Sequence, residues 1–388
     1  RNLKIYNEVQ ADSSIGIHGF NFYRLTNGAD VDEIDNVLIE NVDIKIYGSA
    51  TYGIHTLRKI NNLKIYNNQV EMFAYTTAAQ SFNPIGVYGD CENYIIRGNT
   101  VYSGGHSGIA ASMASGAVID GNTVFNVVTN QTECGIEIEY KAGHGTEAFQ
   151  PKNFQCINNK VFGCEYGIWV TERNETATTL APYGIVIANN ICVDSDSAGI
   201  LIASAIVGTS ERTSVIRNVI IANNICRNTL GTGSGIRIYD GEDIKVLGNI
   251  TEGGRDGIYL GRTTDLLPKG ALDIVNNTCK GWIRFGLYIE SGDDLQLLVS
   301  GNKFYTETGT HGVSCISPLN AGGKTMIQFI NNFASGMAND GFRLKWTGVT
   351  GAIITGNQAV DCTQQGFDVN ATSGIFKNNV TLFLKIPL

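Results

Sequence analysis

A repeat of about 29 residues, two short strands of alternating apolar residues in each repeat, and no helical period predict an all-β chain. The expected architecture is a parallel β-helix, a solenoid in which each repeat is one coil of about 13. A strict six-residue period, which a left-handed hexapeptide helix would show, is absent from the sequence.

The first phrase of the repeat is an apolar run that ends in asparagine, as in LKIYNN, YIIRGN, AVIDGN, IVIANN, IKVLGN and AIITGN. The reference positions are Asn7, Asn41, Asn68, Asn99, Asn122, Asn159, Asn190, Asn224, Asn249, Asn277, Asn302, Asn332, Asn357 and Asn379, spanning 372 residues. The second phrase is a glycine followed by alternating apolar residues, as in SGIAAS, CGIEIE, YGIWVT, SGIRIY, DGIYLG and FGLYIE. Asparagine and glycine are expected where the chain turns, because both tolerate the left-handed backbone region. Successive coils then pair edge to edge at about 4.8 Å, and thirteen of them would make a rod of about 60 Å. Asparagines stacked at one coil position can bond along the axis, a structural role that needs no chemistry.

Composition excludes several classes. The chain has 388 residues, 43% hydrophobic and 16% charged, with net charge −8. That is apolar material enough for a large core. It holds no run of about 18 apolar residues for a membrane span. An acidic balance without a Lys/Arg block argues against nucleic acid. Nine cysteines with no CxxC read as small core residues rather than a disulfide framework or metal site. No cofactor or metal is expected. The opening RNLKIYNEVQ reads as a strand without signal-peptide order, so a longer protein with an N-terminal part before residue 1 is expected. Residues 1–388 are expected to form one domain, with the apolar 380–388 capping the rod or meeting a partner chain.

The two repeated phrases resemble the grammar of the right-handed parallel β-helix, or pectate-lyase-like, family over the whole chain. That family includes pectinases, alginate lyases and epimerases, and the tailspike depolymerases of bacteriophages. The DPHD string of alginate epimerases and the clustered Asp pairs of polygalacturonases are absent from this sequence. The resemblance to a tailspike body implies a homotrimer, an extracellular or virion-associated location and a bacterial surface polysaccharide as partner.

Strand alternation lets the outer face be read in advance. After each phrase glycine the first and third residues should point inward, as Ile136 and Ile138 do, and the second and fourth outward. The second-position column then includes His18, His55, Tyr88, Ala110, Glu137, Trp169, Leu201, Arg237, Tyr259 and Tyr288. The fourth-position column includes Phe20, Asp90, Ser112, Glu139, Thr171, Tyr239, Gly261 and Glu290. Tyr88, Trp169, Tyr239, Tyr259 and Tyr288 are expected along an exposed face, where aromatic planes suit sugar rings.

Glu137 and Glu139 lie two residues apart on one predicted strand, so about 6.5–7 Å between Cα atoms. Paired like charges push one carboxyl toward the acid form and leave the other ionised, which lets an acid and a base coexist. A carboxyl separation of about 6.5–9.5 Å suits inverting glycoside hydrolysis. Asp90, two coils away on the Glu139 column at roughly 9–10 Å, makes a second candidate pair. Chain length points to the same coils. Gly108 and Asn122 are 14 residues apart, whereas Gly135 and Asn159 are 24 apart and Gly167 and Asn190 are 23 apart. The longer inserts carry Tyr140, Lys141, His144, Glu172 and Arg173. Long loops on one side of a solenoid tend to build its binding face.

The sequence therefore predicts an endo-acting depolymerase of a bacterial capsular or exopolysaccharide, a hydrolase with Glu137, Glu139 and Asp90 as catalytic acids. Trp169, Arg237, Tyr239, Tyr259, Tyr88, His144, Glu172 and Arg173 are the candidate sugar-binding residues. A lyase or C5-epimerase acting on a uronate polymer would instead draw on Tyr140, Lys141, His144, Arg173 and Arg237. A non-catalytic adhesive β-helix is the alternative from another class.

Overall fold

The computed structural model describes residues 3–7, 17–22, 34–47, 51–56, 59–73, 83–89, 91–103, 106–112, 114–126, 134–141, 152–173, 181–203, 215–228, 232–261, 268–290, 295–306, 308–315, 326–345, 352–370 and 374–383. Among these there are strands and turns and no helix. The chain divides into two compact units, Arg1–Val193 with Ser204–Ile216, and Asp194–Ala203 with Arg217–Leu388.

Each unit is built from three parallel sheets. In the first unit, sheet A orders Leu3–Asn7, Val42–Tyr47, Gln69–Phe73, Thr100–Ser103, Thr123–Asn126, Lys160–Phe162 and Ile191–Val193. Sheet B orders Ile17–Phe22, Thr51–Thr56, Ile85–Val87, Ser107–Ser112, Cys134–Lys141 and Tyr166–Arg173. Sheet C carries the apolar runs, such as Val118–Asp120 paired with Lys152–Ile157. The second unit repeats the scheme, with sheet B running from Ala198–Ile202 to Phe367–Asn370. The solenoid predicted from the repeat is therefore present in both units.

The turn from sheet C to sheet A explains the asparagine phrase. In the first unit the residues at 67, 98, 121, 158 and 189 all have φ between 53 and 66°, and all are Asn or Gly. That is the left-handed region, which other residues enter at a cost. The following asparagine is the ladder residue. Both the backbone N–H and the Nδ2 of Asn99 donate to Oδ1 of Asn122, at 3.0 and 2.9 Å. Asn122 repeats this on Asn159, and Asn159 on Asn190. The second unit carries the same chain from Asn224 through Asn249, Asn277, Asn302, Asn332 and Asn357 to Asn379. The repeated Asn-Asn and Gly-Asn pairs thus divide two tasks, turning and bonding.

Two reference asparagines fall off this ladder. Asn41 is itself left-handed, with φ 56°, and Val42 takes the ladder place, its N–H donating to Asn68 Oδ1 at 2.9 Å. Asn7 lies opposite Ile46, well past the turn.

The phrase glycine has a different reason from the one expected. Gly135 is not left-handed. A Cβ there would meet Val161 Cγ1 and lie 2.8 Å from the carbonyl oxygen of Gly167 in the next coil. Close approach, not backbone freedom, requires glycine at this corner.

The interior follows the alternation. Ile136, Ile138, Ile168 and Val170 in the first unit, and Ile236, Ile238, Ile258 and Leu260 in the second, are fully buried. Cys192, Cys226 and Cys279 are buried core thiols, and burial pushes the Cys279 thiol up to about 12. At the end of the chain Val380, Leu382 and Phe383 are exposed, and 384–388 lie outside the described residues.

Candidate functional site

Strand Cys134–Lys141 lies between Ser107–Ser112 and Tyr166–Arg173 in sheet B of the first unit. The registers place Gly86, Ala110, Glu137 and Trp169 on one column. Ser112, Glu139 and Thr171 form the next. Continuing the Ile85–Val87 register by one residue puts Tyr88 on the Glu139 column.

This register corrects two of the earliest coils. Gly86 pairs with His55 and Ala110, so Pro84, not Gly86, occupies the corner. Tyr88 therefore belongs with Glu139 rather than Glu137. The place assigned to Asp90 on that column is taken by Tyr88, and Asp90 itself lies outside the described residues. In the strand Ile17–Phe22, His18 pairs with Tyr52 rather than His55, and Phe20 with Ile54, three residues off the predicted columns.

The face around the acids is covered, not exposed. Glu137 is 1% exposed, Glu139 3%, Tyr88 4% and Trp169 8%. Aromatic packing accounts for part of this. Tyr52 stacks on His55 at 3.9 Å between ring centroids, and Tyr88 meets His55 edge-on at 5.4 Å. Tyr166 lies 5.2 Å from Trp169. Small residues hold the spaces beside the acids. Ala110 flanks Glu137, and Ser112 and Thr171 flank Glu139.

A chain of hydrogen bonds ends on Glu137. The Ser107 hydroxyl donates to Glu137 Oε2 at 2.6 Å. His106 Nδ1 is 2.9 Å from that hydroxyl and 3.4 Å from the same carboxylate oxygen. Asn83 accepts the Ser107 N–H at 2.8 Å, and its Nδ2 donates to the Tyr88 hydroxyl. Burial pushes the Tyr88 phenol well above its usual value, and Tyr52, Glu139 and Glu137 push in the same direction. Tyr88 therefore stays protonated at neutral pH.

Asn83, His106 and Ser107 were missed in the sequence. They stand before the phrase glycine or its substitute, in SFNPIG and GGHSGI, whereas only residues after the glycine were assigned to columns.

Other expected contributors are placed differently. Glu172 pairs with Tyr140 one residue past the Glu139 position. Alternation gives both the parity of Ile136 and Ile138, and they are 2% and 0% exposed. Glu172 thus does not share the acid pair's column. Arg173 closes its strand opposite Lys141. Its side chain and all of His144 lie outside the described residues.

The second unit carries an independent polar and aromatic strip on its own sheet B. One column runs Leu201, Arg237, Tyr259, Tyr288, Ser314, Arg343 and Asp368, as the repeat predicts. Arg237, Tyr239, Tyr259 and Tyr288 are half-buried. Tyr239 meets Tyr259 edge-on at 5.8 Å, and Tyr259 lies 5.4 Å from Tyr288. The Tyr259 hydroxyl bonds to Glu290, and burial and that carboxylate both raise its pKa. Arg284 makes two bonds to Asp256, at 2.9 and 2.8 Å, and stacks 4.6 Å over Tyr288.

Comparison with known proteins follows the fold. Residues 8–181 match the family described as the right-handed beta helix region. No curated protein sequence matches the chain. Among solved structures, the periplasmic alginate epimerase AlgG is 13% identical with a TM-score of 0.50, over 90% of this chain and 74% of that one. The catalytic domain of a GH87 alpha-1,3-glucanase, in complex with tetrasaccharides, is 13% identical with a TM-score of 0.49, over 88% and 61%. PfbA, a surface adhesin of Streptococcus pneumoniae, is 10% identical with a TM-score of 0.45, over 90% and 80%. At these identities the likeness is one of fold.

Proposed function

We propose that this chain, whose residues 8–181 match the right-handed beta helix region, is a carbohydrate-active enzyme that hydrolyses a bacterial surface polysaccharide within its chain. Glu137 and Glu139 carry the reading. Two carboxyl groups stand two residues apart on one strand, 1% and 3% exposed, beside the indole of Trp169. Burying an ion costs several kcal/mol before any compensation. A purely structural column has cheaper solutions, and the neighbouring coils use them in Ala110, Ser112 and Thr171.

Their Cα atoms are about 6.5–7 Å apart on one face of the strand, and carboxyl groups held about 6.5–9.5 Å apart would leave room for the water of an inverting reaction. Glu137, accepting from Ser107, is the base that takes a proton from that water as its oxygen attacks the anomeric carbon. Glu139, between Ser112 and Thr171, gives its proton to the departing glycosidic oxygen.

The printed subject of the glucanase and epimerase structures is carbohydrate chemistry, which agrees with this reading at the level of substrate class. The resemblance to a tailspike body implies a virion-associated homotrimer, and sedimentation equilibrium tests the trimer. The adhesin neighbour keeps a binding-only alternative in view. The deciding experiment is incubation with a panel of capsular and exopolysaccharides, recording new reducing ends and ultraviolet absorbance from unsaturated uronates together. Reducing ends without absorbance are expected. Absorbance with reducing ends would replace hydrolysis by elimination. Binding with neither signal would favour the adhesive reading.

A further inference from the structure

We infer that Arg237 forms a subsite for a sugar-borne carboxylate in the second unit, so that the bound glycan is acidic. The inference deepens the carbohydrate reading and rests on it for the sugar. It does not depend on the chemistry assigned to Glu137 and Glu139.

Arg97 contacts Asp120, Arg217 and Arg227 contact Glu242 and Glu252, and Arg255 and Arg284 both contact Asp256. Arg237 is half-buried on the outer column, yet its hydrogen-bond partners among the described residues are neutral hydroxyls. Nη1 donates to Tyr239 at 3.2 Å and to Ser197 at 3.4 Å, and Nη2 donates to Ser234 at 3.4 Å. These are long for N–H···O bonds, whose usual value is about 2.9–3.0 Å. Nε is buried with no hydrogen-bond acceptor among the described residues.

A guanidinium is planar, always charged and shaped for the two oxygens of a carboxylate. Held only by long contacts to hydroxyls, it has most of its charge-assisted bonding left to make. The ring centroids of Tyr239 and Tyr259 lie 5.6 and 5.7 Å from its Cζ, within cation–π range. Glu290, the nearby acid, is engaged by the Tyr259 hydroxyl, and Asp256 is held by two bonds from Arg284. The half-buried Tyr259 and Tyr288 continue the column and offer faces for the sugar ring that carries the acid.

The test reads binding alone, in the Glu137→Gln, Glu139→Gln protein, so failure of hydrolysis and failure of this subsite are separate results. Isothermal titration uses tetramers of galacturonate, mannuronate and glucuronate, their methyl esters, and sodium acetate. At least one free acid should bind at least tenfold more tightly than its ester. Arg237→Met should remove that preference, and Arg237→Lys should restore part of it. Acetate should compete only weakly, since the ring contacts are missing. Four outcomes would overturn the proposal: equal binding of acid and ester, an acid preference that survives Arg237→Met, acetate binding as tightly as the tetramers, or no binding by any free acid at millimolar concentration. Near-ultraviolet circular dichroism of Arg237→Met and Arg237→Lys separates loss of the subsite from loss of the fold.

Discussion

The Ser107 hydroxyl reaches from one coil to the next and donates to a carboxylate oxygen of Glu137 at 2.6 Å. The same hydroxyl lies 2.9 Å from His106 Nδ1, so a serine joins the histidine to the acid. A hydrogen bond to a charged group contributes about 1.5–3 kcal/mol. If Ser107→Ala loses that amount in the transition state, kcat/KM falls about 10–150-fold. Steady-state kinetics on the polymer found by the panel would show it. Unchanged kinetics would make Ser107 a packing residue only.

The asparagine ladder makes a stability prediction free of any function. Asn122 accepts two bonds from Asn99 and donates to Asn159 and to the Ile96 carbonyl. Asn122→Ala leaves the buried Asn99 donors without their acceptor. One buried unsatisfied polar group costs about 1–3 kcal/mol. The urea midpoint should drop accordingly. Asn41→Gly should cost less, since Asn41 is exposed, glycine accepts its left-handed φ and Val42 holds the ladder place.

The corner glycines give a sharper test of packing. In Gly135→Ala the new methyl carbon would sit 2.8 Å from the Gly167 carbonyl oxygen. Overpacking of this kind costs about 1–3 kcal/mol. Thermal unfolding should show a lowered Tm. A variant as stable as the parent would mean that the coils separate there at little cost.

Sequence periodicity reached the fold because each repeat states it again. The outward columns from Ala110 through Trp169, and from Leu201 to Asp368, follow the registers read from the glycine phrase. It failed where the phrase was imitated. Gly86 looks like a corner, but Pro84 is the corner, and Tyr88 moves from one column to the other. Burial was not legible. Alternation says which way Glu137 points and nothing about what lies over it. The partners Asn83, His106 and Ser107 were hidden because they precede the corner, outside the strict alternation.

His311 predicts a pH dependence in the second unit. The Asp340 N–H donates to its Nδ1 at 3.2 Å, and its ring stacks on Phe285 at 5.6 Å. Burial lowers its pKa, with Asp340 opposing and Arg343 adding to the fall. A depressed histidine is neutral in the fold while the unfolded chain takes up a proton near pH 6.5. Its contribution is therefore present above that pH and lost as pH falls through the folded value. Tm should fall less between pH 7 and pH 5 in His311→Gln than in the parent, and an equal fall would remove His311 from the account.

The most direct test of the acid pair compares the parent with Glu137→Gln and Glu139→Gln on the cleaved polymer, measuring turnover and binding separately. Each variant should lose reducing-end release by at least about a hundredfold, the scale of lost general acid–base catalysis, while binding stays within a fewfold. Full turnover in either variant would contradict it.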